Sequence, residues 1–186
     1  MIKVSGSIRR SFTVPAELPL AFAYYCDLGR ILNYLPHIFL VRAYRYDRFR
    51  MLYSTVELGA YHIRIFCDLQ ARMDEKERAL YVTSLEIEPP VEPKVGVREV
   101  TAQGVFSSTS VFHAAGKQTR IDYSLSLEAE LPTPLGLRLM PSYFVNRIAD
   151  NITRWRIREI ADGFIGRSVD AYPFWLAEME QTILTS

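Results

Sequence analysis

The stretch SYFVNRIADNITRWRIREIADGFIGRSVDAYPFWLAEMEQ, Ser142 to Gln181, reads as one long helix closing a chain that until then reads mostly as strand. Val145, Ile148, Ile152, Trp155, Ile160, Phe164 and Val169 recur largely at steps of three and four, the spacing of one apolar helix face. Such a face needs an apolar partner. Forty helical residues would run about 60 Å at 1.5 Å each, whereas a compact domain of this chain length is roughly 40 Å across. The helix is therefore expected to bend or stop, with Gly163 and Gly166 as weak points and Pro173 as the break.

The partner is written earlier in the chain. Residues 3–14 read as an opening strand ended by Val14-Pro15. AELPLAFAYYCDLGRILNYLP then has helical spacing, which Gly29 and Pro36 divide into two short helices. From residue 37 the period becomes two. In YHIRIFCDLQA, Tyr61, Ile63, Ile65, Cys67, Leu69 and Ala71 share one face, while His62, Arg64, Asp68 and Gln70 share the other. The turn at Asp74-Glu75-Lys76 is expected to fold this strand back on 78–88, placing Ile65 opposite Leu85, Cys67 opposite Thr83 and Arg64 opposite Glu86. TRIDYSLSLEAEL repeats the alternation, with Ile121, Tyr123, Leu125, Leu127 and Ala129 inward. EPPVEPKVGVREV carries three prolines and reads as a crossing loop. PTPLGLRLMP is a second connector, yet its Leu135, Leu137, Leu139 and Met140 are apolar and must dock on something or cover something. Seven one-faced strands cannot bury their apolar side alone, and the closing helix supplies the cover.

Strand, two short helices, six strands and one long helix is an order that resembles the α+β helix-grip fold. Through SFTVPAELPLAFAYYCDLGRILNYLPHI and LPTPLGLRLMPSYFVNRIADNITRWRIREI the chain resembles the START-like superfamily, also called SRPBCC or the polyketide cyclase and lipid-transport superfamily. Within it the chain looks like a family of unassigned function. The resemblance implies a curved seven-stranded antiparallel sheet wrapped around the last helix as a single domain over 1–186. It also implies that the space between sheet and helix commonly holds a ligand. The superfamily has no invariant catalytic signature, so no catalytic residue is transferred.

Motifs for other chemistry are missing. The nine glycines never fall into a dinucleotide or phosphate-loop spacing, and there is no Gly-x-Ser-x-Gly elbow. His37, His62 and His113 are scattered, so no metal site and no cofactor are expected. A formal charge of +1 argues against nucleic acid as a partner. Arg154, Arg156 and Arg158 alternate with Asp150, Glu159 and Asp162 and read as a solvated helix face. MIKVSGSIRRSF lacks the apolar core of a signal peptide, and no run approaches membrane-spanning length. Cys26 and Cys67 read as small buried thiols, and a cytoplasmic protein is expected. Asn151-Ile152-Thr153 matches a glycosylation sequon, but inside a helical pattern the match is coincidental.

What remains is the interior. Strand parity puts Tyr61, Ile63, Ile65 and Cys67, then Tyr81, Thr83 and Leu85, then Tyr123, Leu125 and Leu127 on its wall, and the helix adds Ile152 and Trp155. Tyr53 joins them if the turn at Leu58-Gly59-Ala60 has the right length, since counting it as two or three residues flips that strand. Strand 105–113 is open in the same way, with either Ser108 and Ser110 or Ser107 and Thr109 inward. Arg42 and Glu57 are the charged candidates for the interior.

The expectation is a binder or carrier of an apolar or amphipathic small molecule of lipid, isoprenoid, quinone or pigment type. It would be a monomer or weak homodimer, with transient membrane contact through 132–141. The alternative is a cyclase, aromatase or dehydrase type of enzyme using the same cavity, with Tyr53, Tyr123 or Glu57 as its polar groups. A third reading is an interaction module that meets a partner through Arg48, Arg50 and Arg64.

Overall fold

The structure, a computed structural model, describes residues 1–185 and the side chains of residues 1–182; the expected boundary at Ser186 lies outside them. The order is β1 (Ile2–Val14), α1 (Leu18–Cys26), α2 (Leu28–Ile31), β2 (Ile38–Arg45), β3 (Arg48–Glu57), β4 (Tyr61–Asp74), β5 (Ala79–Ser84), β6 (Lys94–Val95), β7 (Glu99–Ala115), β8 (Gln118–Leu131) and α3 (Ser142–Thr185). Seven long strands form one sheet in the order β1-β8-β7-β5-β4-β3-β2, and the two-residue β6 adds to β7. Neighbouring strands are antiparallel except where β5 has ended; there β7 joins β4 directly in parallel, Ile65 beside Ala102. This is the helix-grip architecture that the pattern of elements implied.

The helix α3 lies on the inner face of the sheet. Its buried positions Val145, Thr153, Ile157, Ile160, Ala161, Phe164, Ser168, Tyr172 and Trp175 form one stripe, stepping mostly by three and four from Thr153 on. The closest approach is to β1, where Gly6 has no side chain; a Cβ there would collide with Ile157 Cδ1. The far half of α3 is gripped by α1. Tyr24 and Tyr25 are fully buried, and their hydroxyls reach Ser168, one donating to its carbonyl at 2.7 Å and the other paired with its Oγ at 2.9 Å. Their rings belong to an edge-on aromatic cluster with Phe112, Phe164, Tyr172 and Trp175.

Four expectations need correction. The hairpin turn after β4 is longer than Asp74–Lys76: the Asp74 carboxylate accepts the Lys76 and Glu77 N–H groups, both at 3.1 Å, and Arg78 takes a φ of 50°. The register therefore slips by three, with Gln70 opposite Thr83 and Met73 opposite Leu80. An odd slip turns the strand over. Leu80 and Val82 face the core, while Tyr81 donates outward to Glu77 at 2.7 Å, Thr83 is exposed, and Leu85 and Glu86 lie past the strand end. Trp155 points away from the sheet, 55% exposed, with the Arg156 guanidinium 4.3 Å from its ring centre. Pro173 does not end α3, which continues through it to Thr185. Arg42 is exposed, with its guanidinium over the Tyr44 ring.

The outer face also differs from a simple wet surface. Asp68 is fully buried because the proline-rich crossing loop lies over it. Arg50 donates to both Asp68 carboxylate oxygens at 2.6 and 2.8 Å and to the Ile87 and Pro89 carbonyls. Arg50 is thus committed to holding the loop and is not a free surface cation. Among the described residues no helix is long and apolar enough to cross a membrane.

Burial separates two neighbours on α3. Ile157→Ala should lower the unfolding free energy by about 2–5 kcal/mol, as expected for a core Ile. Trp155→Ala should change it by less than about 1 kcal/mol. Urea melts of the two variants check this.

Candidate functional site

Between the sheet and the first half of α3 the packing leaves a hollow with two lobes. The outer lobe, about 140 Å³, has its floor on β1, β3, β4 and β8, with Ile63, Ile65 and Leu127 among its residues. Ile148, Ile152 and Ile157 of α3 form one wall, and Pro132, Pro134, Leu137 and Met140 of the 132–141 connector form the roof. The inner lobe, about 70 Å³, lies deeper, against Leu28, Ile31 and Leu32, with Cys67, Leu125 and Phe164. Tyr53, Leu127, Ile157 and Ile160 border both lobes and so form the partition between them.

The structure brings most of the residues singled out from sequence to this hollow. Tyr61, Ile63, Ile65 and Ile152 line the outer lobe; Cys67, Tyr123 and Leu125 line the inner one; Tyr53 and Leu127 line both. The turn after β3 has three residues, with Leu58 and Gly59 at φ of 51° and 69°, and this puts Tyr53 opposite Ile65 on the inner face. In β7, Ser108 and Ser110 turn inward, whereas Ser107 pairs with Ser126 on the outer face at 2.8 Å. Tyr81, Thr83, Leu85 and Trp155 do not reach the hollow, for the register and rotation reasons given above.

The residue the pattern missed is Arg156. Its alternation with carboxylates beside Arg154 and Arg158 suggests a solvated face, yet it stands four positions from both Ile152 and Ile160 and so shares their stripe. That spacing was the available signal. Arg156 Nε donates to Glu57 Oε1 at 2.7 Å and its Nη2 to Oε2 at 3.3 Å, while Nη1 donates to Glu159 at 2.6 Å. Glu159 in turn meets His37 Nε2 at 3.2 Å. Burial disfavours the charge on Glu159, but the hydrogen bonds from Arg156 and His37 outweigh it and hold the carboxyl below its ordinary range. Glu57 and Arg156 are the charged residues of the outer lobe, which is otherwise aliphatic apart from the hydroxyls of Tyr53, Thr55, Tyr61 and Thr153.

The connector closes on this end. Leu135 and Gly136 donate N–H groups to the Gly96 and Val97 carbonyls. A Cβ on Gly136 would stand 3.1 Å from the Tyr61 hydroxyl and 3.2 Å from the Val97 carbonyl oxygen, so glycine lets the roof lie close. Around this mouth Leu58, Val97, Leu139, Tyr143 and Phe144 are exposed, Leu139 almost entirely.

Two thiols and two phenols share an apolar setting. Burial pushes the Cys67 thiol up to about 12, with the Asp68 charge adding to it, and burial lifts Cys26 to about 11, with Glu75 adding to it. Burial also raises Tyr123, and it raises Tyr53 with help from the Glu57 charge. Among the described residues no three His, Cys, Asp or Glu side chains converge as metal ligands.

No family model matches the chain, and no curated protein matches it in sequence. Solved structures do. Human STARD10 superposes with a TM-score of 0.53 at 11% identity, covering 92% of this chain and 66% of its own. StfQ, a di-domain ARO/CYC from the steffimycin biosynthetic pathway, superposes with a TM-score of 0.54 at 9% identity, covering 94% of this chain and 52% of its own. TTHA0849 of Thermus thermophilus has a TM-score of 0.48 at 18% identity, covering 89% of this chain and 99% of its own. With the first two the chain shares the helix-grip fold. At identities this low nothing beyond the fold follows from them.

The raised thiol and phenol values fix the sign of an alkaline transition. A group that stays neutral in the fold but ionises in the unfolded chain keeps its full contribution below its unfolded value. That contribution is lost as pH rises toward the folded value. For Cys67 the loss begins above 9.0, and for Tyr53 and Tyr123 above 10.0. Each group contributes a slope of about 1.4 kcal/mol per pH unit in its window. Urea midpoints measured from pH 8 to 11.5 should be flat at first and fall increasingly steeply above 9.

Proposed function

We propose that this protein binds an apolar or amphipathic small molecule in the hollow between the sheet and α3. The observation that carries the reading is the outer lobe, an aliphatic space of about 140 Å³ with a few polar groups in its wall. An apolar cavity of ~150 Å³ takes a benzene ring. The lobe as it stands therefore holds a ring or a short branched segment, and a lipid, isoprenoid, quinone or pigment would extend into the inner lobe or out through the mouth. One contiguous core shared by all the long elements supports a single domain. A monomer or weak homodimer in the cytoplasm belongs to the same reading, in keeping with two unpaired cysteines.

Native mass spectrometry of the purified protein tests the proposal. The expected result is an apolar adduct that leaves on denaturation, or saturable uptake of an added apolar probe. Ile152→Trp, which fills the outer lobe, should reduce occupancy about tenfold or more while the protein still melts cooperatively. A protein that takes up no probe under any condition would overturn the reading.

Loading from a membrane surface is part of the proposal, supported by the exposed Leu139, Tyr143 and Phe144 at the mouth beside Arg138 and Arg147. Binding to vesicles of phosphatidylcholine and phosphatidylserine in a 7:3 ratio should fall about fivefold or more in the pair Leu139→Glu and Phe144→Glu. Unchanged sedimentation would remove the membrane step.

A second reading, an enzyme of cyclase, aromatase or dehydrase type, is favoured by one observation: the Glu57 carboxylate stands in the wall of the outer lobe near the Tyr53 phenol. Tyr123 lines the other lobe, against Phe164. Turnover of a polyketide-like substrate, abolished by Glu57→Gln, would put this reading first.

A further inference from the structure

Resting on the binding reading, we infer that the polar end of the outer lobe selects a neutral, hydroxyl-bearing guest, a phenol or alcohol, and rejects a carboxylate of the same shape. Charge and donor inventory carry the inference. Arg156 is the cation in this wall, and both faces of its guanidinium fork are taken, by Glu57 on one side and Glu159 on the other. The lobe's own cation is thus already matched by Glu57. A guest carboxylate would stand against the Glu57 carboxylate in a half-buried, aliphatic setting where like charges are poorly screened. It would also find no uncommitted cation among the lobe's residues.

A hydroxyl fits the same inventory. The two Glu57 oxygens each accept one bond from Arg156, and a carboxylate oxygen has a further lone pair with which to accept from an O–H donor. The phenols of Tyr53 and Tyr61 stand in the same wall and supply donors to the guest's oxygen. The remainder of the lobe is aliphatic, so the body of the guest must be hydrocarbon, and its volume limits the enclosed part to about one six-membered ring.

Calorimetric titration of the full chain at pH 8 with ethylbenzene, 4-ethylphenol and 4-ethylbenzoate separates the possibilities. The phenol should bind about tenfold or more tighter than the benzoate, with ethylbenzene between them. In Glu57→Gln, which keeps the shape and removes the like charge facing a guest carboxylate, the ratio of phenol to benzoate affinity should shrink about tenfold. If ethylbenzene binds and the benzoate matches the phenol, the selectivity is wrong while the binding reading stands. If none of the three binds, the binding reading itself falls, and the selectivity with it. An unchanged ratio in Glu57→Gln would overturn the assignment to that carboxylate, and the comparison on the unaltered chain holds whether or not the variant folds.

Discussion

The structure depends on α3 being held unevenly. Its far half is fastened by aromatic rings and by two buried phenols that bond to Ser168, with Tyr24, Tyr25, Phe164, Tyr172 and Trp175 packed ring against ring. Its near half meets aliphatic side chains and small residues: Ile148, Ala149, Ile152 and Thr153 face Ile63, Ile65 and Leu127 across a gap. Flat rings packed edge to face close a wide space, while branched aliphatics of smaller volume leave one open. The hollow is thus a consequence of where the aromatics are placed along one helix. The grip at the far end lets the near end tolerate a void that would otherwise destabilise the core in proportion to its volume.

A charge in that interior needs a physical account. Burying a guanidinium among isoleucines costs several kcal/mol unless it is paired, and Arg156 is paired twice. The arrangement joins elements distant in sequence: Glu57 ends β3, Glu159 sits one turn beyond Arg156 on α3, and His37 precedes β2. It therefore acts as a polar fastener where the aromatic packing has given way to a gap. Replacing the cluster by hydrocarbon could hold the fold equally well. What the charged version adds is a polar end inside an aliphatic space, and an asymmetric space orients an asymmetric guest.

Much of this was legible in the sequence. The order of elements, the two-residue period of β4 and β8 and the closing helix follow from hydrophobic spacing, which burial enforces directly. The misread features were decided by interactions that periodicity does not carry. The register of β5 was set by one aspartate capping two N–H groups in a turn, and Tyr81 and Thr83 turned outward because of it. Asp68 lies on the face that alternation made wet, and a loop held by Arg50 buries it. Trp155 sat one step off a stripe that drifts around the helix, and its size made it look like core. Arg156 was passed over because its type outweighed its position. For Arg156, its spacing from Ile152 and Ile160 pointed inward and its residue type misled.

Size is the strongest constraint on what the hollow can do. Each lobe is small on the scale of whole-ligand pockets, which run to about 300 Å³ and more, yet the wall between them is only side chains. Tyr53 and Leu127 stand on the sheet, Ile157 and Ile160 on the helix, and none of these four is a backbone barrier. A rotamer change at Tyr53 would carry its ring out of the partition at a cost far below that of moving a strand. The phenol would then lose its place beside Glu57, so enlarging the space and altering its polar end are one event. On the binding reading, a guest longer than a single ring would therefore change the chemistry of the site by entering it.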